Sequence, residues 1–292
     1  MKRKIIKSLT IILISFGVSW LNEKINTNVI SREHKNYLRR KKRENFAVKA
    51  TQTGFLIFLI IIWEIAAQFE WIDPFIMSSP SRVFKTLVSL NSSNQLWNNV
   101  GVTAWETVVG FLFGTILGIA FAVVIWWSDF IFKVSDPYLV VLNALPKVAF
   151  GPIIIVWMGA GTKSIIIMAL LVSVIIATLN ILAGFKNVNP EKILLMKSFG
   201  ANKIQILTKL VIPANISTII STLKINVGMS LIGVITGEFL VASKGIGYLI
   251  VYGGQVFKLD LVMAGIFLLC VIAILIYGAV SQIEKIYTKF AK

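Results

Sequence analysis

The sequence predicts an all-α, polytopic membrane protein, and three observations carry that prediction. Hydrophobic residues make up 57% of the 292 positions and charged residues only 14%, whereas a soluble domain carries about 25% charged residues. Mean hydropathy is +0.82, and several apolar runs approach the roughly 20 residues that a bilayer requires. The 29 Lys and Arg against 13 Asp and Glu are gathered mainly in the connections between those runs. A soluble enzyme and a disordered chain are therefore excluded, and the net charge of +16 points to lipid headgroups rather than to nucleic acid.

The N-terminal extension, residues 1–52, opens with Met1-Lys2-Arg3-Lys4 and an apolar stretch from Ile5 to Leu21. The bulky Ser19-Trp20-Leu21-Asn22-Glu23 that follows offers no small-residue cleavage site. Two placements stay open for the stretch: a seventh span, or a helix lying along the interface. A basic linker leads from it into a transmembrane domain at 53–292. Six spans are expected there, near Thr53 to Phe69, Val100 to Trp127, Tyr138 to Met158, Ser164 to Phe185, Ile216 to Leu240 and Leu259 to Ile283.

Between the first two spans, Ser79-Pro80-Ser81 starts a short amphipathic surface helix with apolar Val83, Phe84, Leu87, Val88 and Leu90. Lys and Arg in alternate connections number 18 on one side and five on the other. The positive-inside rule then puts the basic linker, Lys133, the segment 186–213, Lys289 and the C-terminus in the cytoplasm, with Lys163 and Lys244 outside.

The connection at 186–213 is the most informative part of the chain. Asn189 suits a cap, Pro190 the first helical position, and Glu191 the positive end of the helix dipole. Gly200 ends or bends that helix, a second helical stretch runs through Ile204, Leu207 and Leu210, and Pro213 closes the segment. Such a helix pair either lies on lipid headgroups or presents its apolar face to a protein partner. Three further features stand out. Gly110, Gly114 and Gly118 line one helical face and favour close helix packing. Pro146 and Pro152 break the third span, with Lys147 between them. Lys224 and Glu238 share the fifth span, about 21 Å apart along a helix and so too far apart to pair.

At 200–213 the chain resembles the permease subunit of an ABC importer. That family carries E-A-A, three residues, Gly, nine residues and I-x-L-P. Here Gly200 is followed by nine residues and then Leu210-Val211-Ile212-Pro213, while Leu194, Leu195 and Met196 occupy the E-A-A positions and Glu191 lies one turn earlier. Pro80-Ser81, Gly110-Phe111-Leu112-Phe113-Gly114, Asp136-Pro137-Tyr138, Leu145-Pro146, Trp157-Met158-Gly159-Ala160-Gly161 and Ser243-Lys244-Gly245-Ile246-Gly247-Tyr248-Leu249-Ile250 follow the same order. Together they are similar to the nitrate/sulfonate/taurine branch of these permeases, from about Asp73 to Lys289.

The resemblance implies a six-helix permease core in the cell membrane. Two copies would line one pathway for a small, anionic solute, an extracytoplasmic solute-binding protein would deliver it, and an ATP-binding subunit dimer using ATP and Mg would drive it. Glu191, Leu194, Leu195, Met196, Gly200, Ala201, Leu210, Ile212 and Pro213 would couple to the ATPase. Asn143, Pro146, Lys147, Asn226 and Glu238 are the candidates for the translocation pathway, although Asn143, Asn180, Asn226 and Ser230 more often serve in interhelical hydrogen bonds, Lys147 more readily snorkels to the cytoplasmic interface, and Glu238 suits a gate or an interhelical partner.

The chain itself carries no catalytic set, cofactor or metal cluster: His34 and Cys270 are its only His and Cys. Gly159-Ala160-Gly161-Thr162-Lys163-Ser164 superficially resembles a phosphate loop but lacks the Gly-x-x-x-x-Gly-Lys-Ser/Thr order. A self-sufficient secondary transporter is the alternative, but it would need more coupling charges than Lys147 and Glu238, and usually inverted repeats.

Overall fold

The computed structural model describes residues 32–290. The apolar stretch from Ile5 to Leu21 lies outside the described residues. Among those described, every regular element is helical. The chain divides into two compact units after Ile62, inside helix α1 (Arg32–Gln68). That division falls ten residues beyond the sequence boundary after Gln52.

From Trp63 onward the structure is a bundle built along one direction and back. Helices α2 (Pro74–Met77) and α3 (Pro80–Ser92) precede α4 (Gln95–Trp127). The α3 start is capped as the sequence requires. Ser79 Oγ accepts from the Arg82 backbone N–H and Pro80 occupies the first turn. On its apolar side, Val83 and Leu90 are buried. Asp260 ties this surface helix to the last span, accepting from Ser78 Oγ at 2.7 Å and from Arg82 Nη2 at 2.9 Å.

Helix α5 (Asp129–Ala144) ends at Leu145-Pro146, and a short 3₁₀ turn (Lys147–Phe150) leads into α6 (Gly151–Met158). The two helical arms meet at 88°. Proline cannot donate to the helical ladder and disfavours helix at the residue before it. Pro146 follows Leu145 and Pro152 sits in the first turn of α6, so the break lies where the sequence put it. Helix α7 (Thr162–Lys186) runs parallel to α4. Then come α8 (Pro190–Ser198), α9 (Lys203–Ile206), a π turn (Leu207–Val211) and α10 (Ile212–Ala214). Long α11 (Ile216–Val241), short α12 (Ile246–Gln255) and α13 (Leu259–Phe290) complete the chain.

Among the described residues, five helices are long and apolar enough to cross a membrane, and the bent α5–α6 pair makes up to six. The core is the triple contact of α4, α7 and α11, and small residues make it possible. A Cβ on Gly110 would stand 2.7 Å from Ala169 Cβ, one on Gly114 2.0 Å from Ser173 Oγ, and one on Gly118 2.4 Å from Ala177 Cβ. The three glycines of α4 thus lie against α7 within this chain. Close backbone approach then brings polar groups into register. Ser230 Oγ donates to Thr107 O at 3.0 Å and Asn226 Nδ2 to Thr115 Oγ1 at 2.8 Å, both between α11 and α4.

Candidate functional site

The end of the bundle reached by the C-termini of α4 and α7 carries the elbow. Asn189 Oδ1 accepts from the Glu191 backbone N–H at 2.8 Å and Pro190 starts α8. Gly200 stops the helix at φ +77°, a left-handed conformation that side chains resist. Gly200 N donates to Lys197 O at 2.9 Å and Ala201 N to Met196 O at 3.0 Å, closing the turn. Asn202 and Gln205 then form a reciprocal capping box that opens α9. The i→i+5 pattern at Leu207–Val211 inserts one extra residue per turn before Pro213. Pro213 lies inside α10, and the chain turns at Asn215 rather than at the proline.

The elbow has two sides. Ile206, Leu207 and Val211 are buried against Ile181, Phe185, Ala122 and Ile125, with Met196, Ala201, Leu210 and Ile212 half-buried around them. Leu194, Leu195 and Ile204 face outward, as does Phe199, which is 80% exposed. Glu191, Gly200 and Pro213 are also exposed. Of the residues read from the sequence, Glu191, Leu194, Leu195 and Gly200 thus form the open side, while Leu210, Ile212 and Ala201 anchor it. Phe199 and Ile204, bulky apolar side chains flanking the glycine turn that stood outside the coupling set read from the sequence, join this open side.

The elbow is stapled to the bundle by cations at helix ends. Lys186 Nζ donates to Asp129 Oδ1 at 2.9 Å and stands 4.2 Å from the Phe132 ring centroid. Lys203 Nζ lies 5.8 Å from the Trp127 ring.

The path candidates fall into two groups. Asn143, Pro146 and Lys147 lie together at the α5–α6 break, and Lys147 Nζ donates to Asn143 O, satisfying a carbonyl that the break frees. Asn226 and Glu238, by contrast, are buried between α4, α7 and α11, so as placed they face neighbouring helices and not an open surface. Lys224 does not pair with Glu238. Its partner is Glu284 of α13, a contact across 60 residues of chain.

At the opposite end, a cavity of about 900 Å³ opens between α3, the start of α4, α12 and the start of α13. Arg82, Lys244, Lys258 and Asp260 contribute its charges, and Tyr248 and Tyr252, stacked at 6.0 Å, line one wall. The α12 wall is held at its N-terminus by three side chains from other helices. Asn99 Oδ1 accepts from Gly245 N at 2.7 Å, Thr103 Oγ1 from Ile246 N at 2.8 Å, and Glu238 Oε2 from Gly247 N. Thr103 in turn donates to Glu238 Oε1 at 2.6 Å.

With this geometry in place, comparison with known proteins gives a consistent answer. The family described as "Binding-protein-dependent transport system inner membrane component" matches residues 110–285. The chain belongs to that family. A probable ABC transporter permease protein of Haemophilus influenzae is 29% identical over 76% of this chain and 90% of its own length. The taurine transport system permease protein TauC of Escherichia coli is 24% identical over 80% of this chain and 86% of its own. Among solved structures, a bacterial ABC transporter involved in import of the acidic polysaccharide alginate matches 85% of this chain and 98% of its own. The TM-score there is 0.59 at 17% identity, a likeness of fold. This family member is thus a transport component, an ABC importer permease with a multi-pass helical membrane domain.

Proposed function

We propose that this permease forms, with a second copy of itself, the inward pathway for a small anionic solute such as a sulfonate, taurine or nitrate. The observation that carries the reading is the elbow. A family permease presents Leu194, Leu195, Phe199 and Ile204 on an open apolar side whose other side is bolted to the bundle, the arrangement expected of a surface that takes force from a soluble partner. That partner is an ATP-binding subunit dimer, which uses the ATP and Mg. The elbow and the C-terminus face the cytoplasm, and a solute-binding protein meets the opposite end. Relatives named for taurine and nitrate transport support an anion. So does Lys147, which brings a positive charge to the break in the third span.

Reconstitution tests this directly. Proteoliposomes carrying the permease, an ATP-binding subunit and a solute-binding protein from the same cells are expected to accumulate at least one of labelled taurine, an alkanesulfonate or nitrate when ATP is supplied on the elbow side. ATP-driven uptake only of solutes that carry no anionic group would overturn the anion assignment. Uptake driven by an ion gradient without the ATP-binding subunit would overturn the ABC reading and establish the secondary-transporter alternative.

A further inference from the structure

One buried group has no place in the transport reading. Glu106 of α4 is 1% exposed, and neither of its carboxyl oxygens has a hydrogen-bond donor. It lies one helical turn beyond Thr103, on the same face, the face from which Thr103 reaches Glu238, and its carboxyl group has Glu238 and the Thr162 hydroxyl as neighbours. Glu238 is equally buried, at 1% exposure, but both of its oxygens are engaged, by Thr103 Oγ1 and by Gly247 N. None of the ion pairs among the described residues involves either glutamate.

The surroundings supply no compensating cation. Glu106 is the sole charged residue of α4, and α6 and α12 carry no charged side chain. On α7, Lys163 is exposed and Lys186 is held by Asp129 at the far end. On α11, Lys224 pairs with Glu284. Lys244, beside the turn, is exposed. Tyr248 of α12 faces the cavity, and Asp260 of α13 is held by Ser78 and Arg82. Two neighbouring carboxylates buried with no cation beside them cannot both carry charge. Metal is a poor fit as the neutralising ion. Calcium takes six to eight oxygens, whereas both oxygens of Glu238 are already engaged by Thr103 and Gly247, and no group of three metal-binding side chains occurs among the described residues.

We propose that Glu106 and Glu238 are a proton-binding site, holding one proton between their carboxyl groups, and that this proton fixes the turn Gly245–Gly247 and with it the α12 wall of the cavity. With the proton in place, Glu238 carries one shared charge and caps the α12 N-terminus, where the helix dipole favours an anion. When the proton passes to water, two carboxylates remain. Their repulsion is relieved only by moving Glu238, which releases the Gly247 N–H and the Thr103 hydroxyl. The turn is built for this contact. A Cβ on Gly245 would sit 2.3 Å from Glu238 Oε1, and one on Gly247 2.7 Å from Oε2. Both glycines therefore let the carboxylate reach the backbone.

The test uses the purified full chain in lipid nanodiscs and needs no solute or ATPase, so it stands or falls apart from the transport reading. Infrared spectra with labelled glutamate, taken from acidic to alkaline buffer, report the carbonyl stretch of a protonated carboxylic acid. The wild type is expected to show a band that is lost on alkalinisation and absent from Glu106→Gln, whereas in Glu238→Gln the lone buried Glu106 keeps its proton and its band. Hydrogen exchange gives the structural arm. Corrected for intrinsic rates, protection at Gly245–Gly247 should be lost with the band in the wild type. It should persist across the same range in Glu106→Gln, whose amide donates to Glu238 without titrating. Glu106→Gln carries the test even where Glu238→Gln fails to fold. A band surviving Glu106→Gln, protection that follows the same course in wild type and Glu106→Gln, or a band abolished at fixed pH by sodium, potassium or calcium would overturn the proposal.

Discussion

At the scale of single residues, glycine positions decide the sharpest expectations. Gly200 has φ +77° and open space where a Cβ would go, so the cost of a side chain there is backbone strain without any clash. Gly200→Val is expected to cost about 1 to 3 kcal/mol locally and to turn α8 away from its partner. Glu191→Ala removes an exposed charge and leaves the Asn189 cap intact. Co-purification of the ATP-binding subunit should therefore fail with the first variant and survive with the second. If Gly200→Val keeps full co-purification and transport, the turn does not couple. Gly114 poses the opposite problem, because its would-be Cβ meets Ser173 Oγ at 2.0 Å. Gly114→Ala should lower the thermal midpoint, by about 1 to 3 kcal/mol of overpacking. Adding Ser173→Gly removes the obstructing side chain and should recover part of the loss. Equal midpoints for the single and double variants would show that the contact is slack.

At the scale of elements, the sequence was legible wherever local chemistry decides and silent wherever helix rotation does. Asn189-Pro190 marked the start of α8, Ser79-Pro80 that of α3, and Pro146 the break in the third span, since each acts within a few residues of itself. The partnerships Lys224 with Glu284 and Thr103 with Glu238 span 60 and 135 residues. They depend on which face each helix turns inward. In α4, α7 and α11 apolar residues occur all round, so no stripe announces that face, whereas Glu106, the sole charge in the second expected span, was a legible signal that went unused. The π turn at Leu207–Val211 was hidden for a similar reason, because one extra residue in a turn leaves an apolar pattern unchanged. Phe199 at 80% exposure predicts a stronger effect than any charge in the elbow. Phe199→Ala should weaken ATPase co-purification more than Lys197→Ala, by the preference of interfaces for aromatic anchors. Orientation is testable with single cysteines in a Cys270→Ala background. Position 203 should label only from the cytoplasmic side, and positions 163 and 244 only from outside. External labelling of 203 in intact cells would invert the elbow assignment.

For the whole molecule, the proposed division of labour takes the energy for transport from the ATP-binding subunits. The loop Gly159–Ser164 lacks the phosphate-loop order, and its Ser164 Oγ donates to Gly159 O. The purified chain is expected to show no vanadate-sensitive ATP turnover in a phosphate-release assay, and specific turnover would sink the division of labour. The close approach of α4 to α7 has a mechanical consequence as well. Gly110, Gly114 and Gly118 seat Ala169, Ser173 and Ala177 like teeth in a rack, and a one-turn slip of about 5.4 Å would set Ile165 against Gly110 or Ile181 against Gly118, where only a small side chain fits. These two helices therefore cannot slide along each other. Opening and closing has to pivot around them as a fixed spindle, which leaves the pliable joints to the bent α5–α6 arm and the short α12.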